Sequence, residues 1–153
     1  MNEVSSDPAK IEQIYRSLSD PLTRLAFLLI GDREEARDTV QAVFATAAGR
    51  WSTIEDPHSY LRRAVVNRAN DCHRRSSRRT AFPPLHPLAT GEPDLDGMWQ
   101  FVQLLPRDQR TVVVLRYYAD LSLVDIAEIV GRPASTVRSD LRRALTSLKR
   151  RVT

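Results

Sequence analysis

A chain of 153 residues holds one ordinary domain or two very small ones, and its 42% hydrophobic and 27% charged residues are enough for a globular core rather than a disordered tail. The net charge of +4 favours an acidic partner, most simply nucleic acid. A single cysteine, Cys72, excludes an internal disulfide and a paired-Cys metal site. No apolar run reaches the length of a membrane span, and the acidic, polar start lacks the pattern of a signal peptide, so a soluble cytoplasmic protein without membrane insertion is expected.

Taken in order, residues 7–30 place Ile11, Ile14, Leu18, Leu22, Leu25 and Leu29 at steps of three and four, which predicts a helix with one buried seam. Pro21 lacks a backbone donor, so a kink or a fresh start is expected there. After Gly31-Asp32 a second helix is expected over 33–49, with Ala36, Val40, Val43, Phe44 and Ala47 inward and Glu34, Arg37, Asp38 and Gln41 outward. Residues 49–57 read as a loop with an exposed Trp51. Asp56 then caps a third helix over 57–75, whose first turn holds Pro57. Tyr60, Leu61, Ala64, Val65 and Cys72 face its core side.

Residues 77–97 break the periodicity with four prolines and two glycines, the composition of an extended linker. So long a structureless stretch marks a boundary between domains. A short apolar helix is expected over 98–105, closed by Pro106. Another follows over 107–118, with Val112, Val113, Leu115 and Tyr118 inward. Ser122 then caps a helix carrying Ile126, Ala127, Ile129 and Val130, with Asp125 placed to complete a capping box. Gly131 sits where a left-handed C-cap is wanted, and Pro133 cannot continue the helix. The next helix spaces Val137, Leu141, Ala144, Leu145 and Leu148 for burial and leaves Arg138, Ser139, Arg142 and Arg143 outward. The fold class is therefore all-α: two small helical domains, 1–76 and 98–153, joined by a Pro-rich linker, the second a helix-turn-helix domain.

No phosphate-binding loop, zinc-protease motif or nucleophile elbow is present, and His58, His73 and His86 are scattered. A protein without an enzyme active site, cofactor or metal is expected. Two basic surfaces remain. Solvated helical hairpins also bear Arg residues, but the short first helix, the tight turn and the Ser, Thr and Arg mixture on the last helix favour a reader of duplex DNA. In the first domain, Arg and Asn residues of the third helix lie close in sequence to Trp51 and Tyr60. Such a mixture suits single-stranded nucleic acid, in which a base stacks on a ring and the backbone follows the cations. A duplex reader tethered to a single-strand module suggests a promoter-opening factor.

The chain resembles the extracytoplasmic-function (ECF) group of bacterial RNA polymerase sigma factors. The resemblance rests on GDREEARDTVQAVF (31–44), Arg50-Trp51, DPHSYLRRAVVNRANDCHRR (56–75), LLPRDQRTVVVLRYYADLSLVDIAEIVG (104–131) and STVRSDLRRAL (135–145). It implies that residues 1–76 are like sigma region 2 and residues 98–153 like region 4. Asp38, Gln41 and Phe44 match the surface for the polymerase clamp helices. Asn67, Arg68, Asn70, Asp71 and Arg74, with Trp51 and the loop 52–58, match the part that engages the minus-10 element and a flipped base. Ser135, Thr136, Arg138, Ser139 and Arg142 match the minus-35 reader.

The partners so implied are core RNA polymerase, through its clamp helices and flap region, promoter DNA both duplex and single-stranded, and an anti-sigma factor. Two other readings share these residues: a free-standing helix-turn-helix regulator, and a degenerate sigma-like protein-interaction module. The chain departs from the family pattern at Arg37, Thr39, Ala42, Pro133 and Asp140. Asp140 stands where a basic residue is common. On the outward face its carboxylate would repel phosphates, accept from cytosine N4, or pair with Arg138 or Arg143.

Overall fold

The structure, a computed structural model, describes residues 8–76 and 99–152, with side chains between 8 and 71 and between 100 and 151. The linker expected over 77–97, Met98, and the side chains of Cys72 and Arg74 lie outside the described residues. No strand occurs among the described residues, and none of their helices is long and apolar enough to cross a membrane. The chain divides into two compact units, Met1–Thr80 and Ala81–Thr153.

The first unit is a bundle of α1 (Pro8–Ile30), α2 (Arg33–Ala48) and α3 (Pro57–Ser76), each packed on the other two. Pro21 lies inside a continuous α1, so of the expected kink or fresh start the fresh start does not occur. Its ring is exposed, and Thr23 Oγ1 donates to the Ser19 carbonyl at 2.6 Å two residues further on. An interior proline costs about 3 kcal/mol. Burial of Leu22, Leu25, Phe27, Leu28 and Leu29 stabilises by about 1.5–3 kcal/mol for each side chain, so packing prevails over the local defect. The buried seam is uneven: Ile11, Ile14 and Leu18 are only half-buried, whereas 25–29 is buried all round.

Gly31 ends α1 at φ 85°, donating to the Phe27 carbonyl at 2.7 Å. Only a glycine takes that backbone without strain. Asp32 then caps α2 by accepting from the Glu35 amide at 3.0 Å. The expected inward residues of α2 are all buried, joined by Thr39. In α3 the core is Leu61, Val65, Val66 and Ala69, while Tyr60 and Ala64 are half-buried.

The second unit comprises α4 (Trp99–Val102), α5 (Arg107–Val113) continued by a π-helical turn (Val114–Tyr118), α6 (Leu123–Val130) and α7 (Ala134–Val152). The short helix expected over 98–105 is thus limited to 99–102, and Leu104 is exposed. The helix expected over 107–118 is continuous in sequence but widens in its second half, where the Ala119 amide donates to the Val114 carbonyl five residues back. Residues 110–115 are buried without a break, so the helix is enclosed on all sides over that stretch. Asp120 adopts φ 56° in the turn that follows, a conformation that Asp tolerates better than most side chains.

Candidate nucleic-acid interface

The helix pair forms as its sequence demands. Ser122 Oγ accepts from the Asp125 amide at 3.1 Å to cap α6. Gly131 ends α6 in the left-handed region at φ 70°, donating to the Ala127 carbonyl at 2.9 Å. The Pro133 carbonyl receives the Thr136 and Val137 amides and so starts α7. Val137, Ala144 and Leu148 anchor that helix in the unit, Leu141 is half-buried, and Leu145, expected to be buried, is exposed.

Of the residues matched to the minus-35 reader, Ser135, Arg138 and Arg142 are exposed, and Thr136 and Ser139 are half-buried. Ser135, Ser139 and Arg142 lie three and four apart, which puts them on one outward face. Asp140 leaves that face altogether. It is 8% exposed, and its Oδ2 lies 2.7 Å from Nη1 of Arg132 in the turn before α7. The pairing expected with Arg138 or Arg143 is therefore corrected, for a reason of helix geometry: residue 140 follows Val137 by three and precedes Ala144 by four, so it shares their inward stripe. Arg132 Nη1 also lies 3.6 Å from Asp108 Oδ2 near the start of α5, so one guanidinium links two helices.

Among the described residues of this unit Arg110 is a second buried charged side chain, at 2% exposure in α5. Burial lowers its pKa below the ordinary value for arginine, and the nearby Arg107 acts in the same direction. Sequence periodicity missed it, because Arg at a single position of an apolar stripe reads as the edge of that stripe.

In the first unit, Asn67, Arg68 and Asp71 are exposed on α3 and Asn70 is half-buried. Asn67, Asn70 and Asp71 share one face at steps of three and four, and Arg68, three residues before Asp71, borders it. The loop before α3 differs from expectation. Trp51 begins a 3₁₀ turn, Trp51–Thr53, and is 4% exposed, so the exposed ring expected from its loop position is corrected. Ile54 of the same loop is buried with it, because a two-ring apolar side chain gains more from burial than from water. The loop is further fixed by Asp56, whose Oδ1 accepts from the Ser59 amide at 3.4 Å. Hydrogen bonds from the Ser59 side chain and backbone hold the Asp56 carboxyl below the ordinary aspartate range.

On the other side of the bundle, Asp38 and Gln41 are exposed and Phe44 is 6% exposed. Gln41 Nε2 donates to Tyr15 Oη at 2.5 Å, and the Tyr15 ring meets Phe44 edge-on, with centroids 4.9 Å apart and planes at 72°. Tyr15, Gln41 and Phe44 border a shallow apolar groove between α1 and α2, with Ile11 and Ala45 beside them. Sequence reading assigned Ile11 to the buried seam of the first helix and did not single out Tyr15, four residues on. Among the described residues no group of His, Cys, Asp or Glu could hold a metal ion.

Comparison with known proteins places both units. Sigma-70 region 2 matches residues 14–80, and sigma-70, region 4 matches residues 96–148. The RNA polymerase sigma-E factor of Streptomyces coelicolor is 32% identical over 149 residues, covering 92% of this chain and 84% of that protein. The ECF RNA polymerase sigma factor SigM of Mycobacterium tuberculosis is 29% identical, covering 96% of this chain and 79% of that protein. The fold is shared with the sigma factor RpoE of Bartonella quintana, solved in complex with the anti-sigma factor NepR (TM-score 0.70, 22% identity, 92% of this chain and 95% of that chain). An all-α chain with a region 2 bundle followed by a region 4 helix-turn-helix unit, matched to these relatives along nearly its whole length, belongs to the ECF group of RNA polymerase sigma factors.

Proposed function

We propose that this chain is an alternative sigma subunit that binds core RNA polymerase, recognises the minus-35 and minus-10 elements of a promoter and promotes opening of the DNA. The observation that carries this reading is the order of the two matches, region 2 then region 4, within relatives that align along nearly the whole chain. Residues 1–76 serve polymerase binding and the minus-10 element, 77–97 are the tether, and 98–153 serve the minus-35 element.

Within that division Asp38, Gln41 and Phe44 form the polymerase-binding surface, and the groove they share with Tyr15 supports the assignment. Asn67, Arg68, Asn70, Asp71 and Arg74 engage the minus-10 strand. Trp51 contributes from within, by holding the loop 52–58 on the bundle. Ser135, Thr136, Arg138, Ser139 and Arg142 read the minus-35 duplex from the outward face of α7, where removal of the Asp140 carboxylate leaves only hydroxyls and cations at the named positions. The protein acts in the cytoplasm by binding, without a reaction of its own, and an anti-sigma factor is its expected regulator.

Run-off transcription with core enzyme, together with a core-polymerase pull-down, tests the proposal. Promoter-dependent transcripts that require this chain are the expected result. Duplex binding without polymerase binding would point to a free-standing regulator. Polymerase binding without any transcript would point to a module that only titrates its partner.

A further inference from the structure

The apolar anchors of α7 leave one motion of that helix open. Val137, Ala144 and Leu148 are spaced at helical steps on a single buried line. Hydrophobic contact is non-directional, so such a line resists lifting better than rolling. A helix with its side chains is about 10 Å across. A roll of about 10° about the line therefore carries the outward tips about 1.7 Å, whereas N–H···O distances span only about 0.5 Å. The turn before α7 offers little packing on either side of Arg132. Gly131 and Pro133 are exposed, and nothing lies within 4 Å of where a Cβ on Gly131 would stand.

What the apolar line lacks, Arg132 supplies. Its Nη1 lies 2.7 Å from Oδ2 of Asp140, in the second turn of α7, and 3.6 Å from Oδ2 of Asp108, near the start of α5. The Asp140 carboxylate is nearly buried and that of Asp108 is exposed, so the first contact is the stronger one. A buried ion pair adds little stability over apolar packing, but it can fix a register. We propose that Arg132 is a positioning residue for promoter specificity. Held between α5 and Asp140, it sets the roll of α7 and so which base edges Ser135, Ser139 and Arg142 meet. The inference rests on the reading of α7 as the minus-35 reader and goes past it, because the residue named acts through the helix rather than on the DNA. A pair that merely kept a carboxylate away from phosphates would behave differently. R132A would then bind every duplex less well and keep its preference among them.

Holoenzyme assembled from core RNA polymerase and the full chain is used to select from a pool of randomised duplexes. Wild type should enrich an upstream and a downstream element. Affinity is then measured for the selected duplex and for the same duplex with its upstream element scrambled. In R132A and in D140A the ratio of the two affinities should fall about tenfold, the size of one lost base contact. The double variant should fall no further, as befits two residues acting through one contact. The downstream element should be kept, and affinity for the scrambled duplex should change little, since phosphate contacts carry it. V102A, which loosens the same unit through the buried side of α4, should lower the melting temperature and leave the ratio alone. An unchanged ratio in R132A and D140A overturns the proposal. So does an equal loss in V102A, which would reduce Arg132 to a stabilising contact, and so do losses that add in the double variant. If circular dichroism shows R132A or D140A unfolded, D140N replaces them. It keeps the side-chain shape without the charge and should lower the ratio about threefold, as for a weakened contact; no change overturns the idea. Enrichment of no upstream element by wild-type holoenzyme would instead overturn the parent reading of α7, before any variant is compared.

Discussion

Arg132 and Asp140 meet at 2.7 Å across the start of α7, with the carboxylate side chain 11% exposed and the guanidinium 28% exposed. The pair fixes the turn of the helix-turn-helix to its second helix and keeps an acid off the outward face. Arg132→Ala leaves that carboxylate without its nearest cation, which should cost about 1–3 kcal/mol in denaturant unfolding. Asp140→Asn should cost less, because the amide needs no counter-charge. A double-mutant cycle should show coupling of about 0.5–3 kcal/mol. Additive losses would mean that the two groups are held by separate interactions.

Arg138→Ala and Arg142→Ala act on exposed side chains and should leave the melting curve nearly unchanged. Each should weaken minus-35 binding by about 1–3 kcal/mol where the side chain reads a base. Core-polymerase binding, measured on the same preparations, should not change. Equal loss of both activities would show misfolding or a wrong domain assignment.

Trp51→Ala removes a buried double ring and should destabilise the first unit by about 3–5 kcal/mol. Trp51→Phe keeps part of the buried ring system and should keep most of the promoter opening. A direct stacking role predicts the reverse separation: normal unfolding with opening lost in both variants. Denaturant melts and a 2-aminopurine opening assay on the same proteins decide between them.

Asp56 gives the first unit a dependence on acid. Its folded pKa lies below the unfolded value, so its contribution is fully present above the unfolded pKa and is lost as pH falls through the folded one. Wild type should therefore lose stability below the ordinary aspartate range more steeply than Asp56→Asn, which keeps a capping oxygen without the titration. Parallel pH profiles of the melting temperature would show that the cap does not depend on charge.

Much of the architecture was legible because caps and periodicity agree. Ser122, Gly131, Asp32 and Asp56 each announce a helix end with a side chain or backbone that the structure uses. What failed had tertiary causes. Pro21 argues locally for a fresh start, but residues 25–29 are buried without a break, and no local rule contains that. Trp51 reads as exposed from its loop neighbours, yet it is buried, and burial depends on packing that loop composition does not contain. Asp140 could be placed inward from its spacing to Val137 and Ala144. Its partner could not be found that way, because Arg132 meets it through the turn. The outward positions of Asp38, Gln41, Arg138 and Arg142 were readable from amphipathic spacing, whereas the meeting of Tyr15 with Gln41 and Phe44 depends on how α1 packs on α2.

The uninterrupted burial of residues 110–115 bears on how far the second unit can be dissected. A stretch enclosed on all sides is a spindle; α7 packs against it, and α6 packs on α7 and on the π-helical turn that continues it. Excision of the helix pair as a portable reader would strip Val137, Ala144 and Leu148 of that support and expose them to water. The smallest transplantable piece therefore begins before Arg107, and a graft of α6 and α7 alone should aggregate instead of carrying promoter preference to another scaffold.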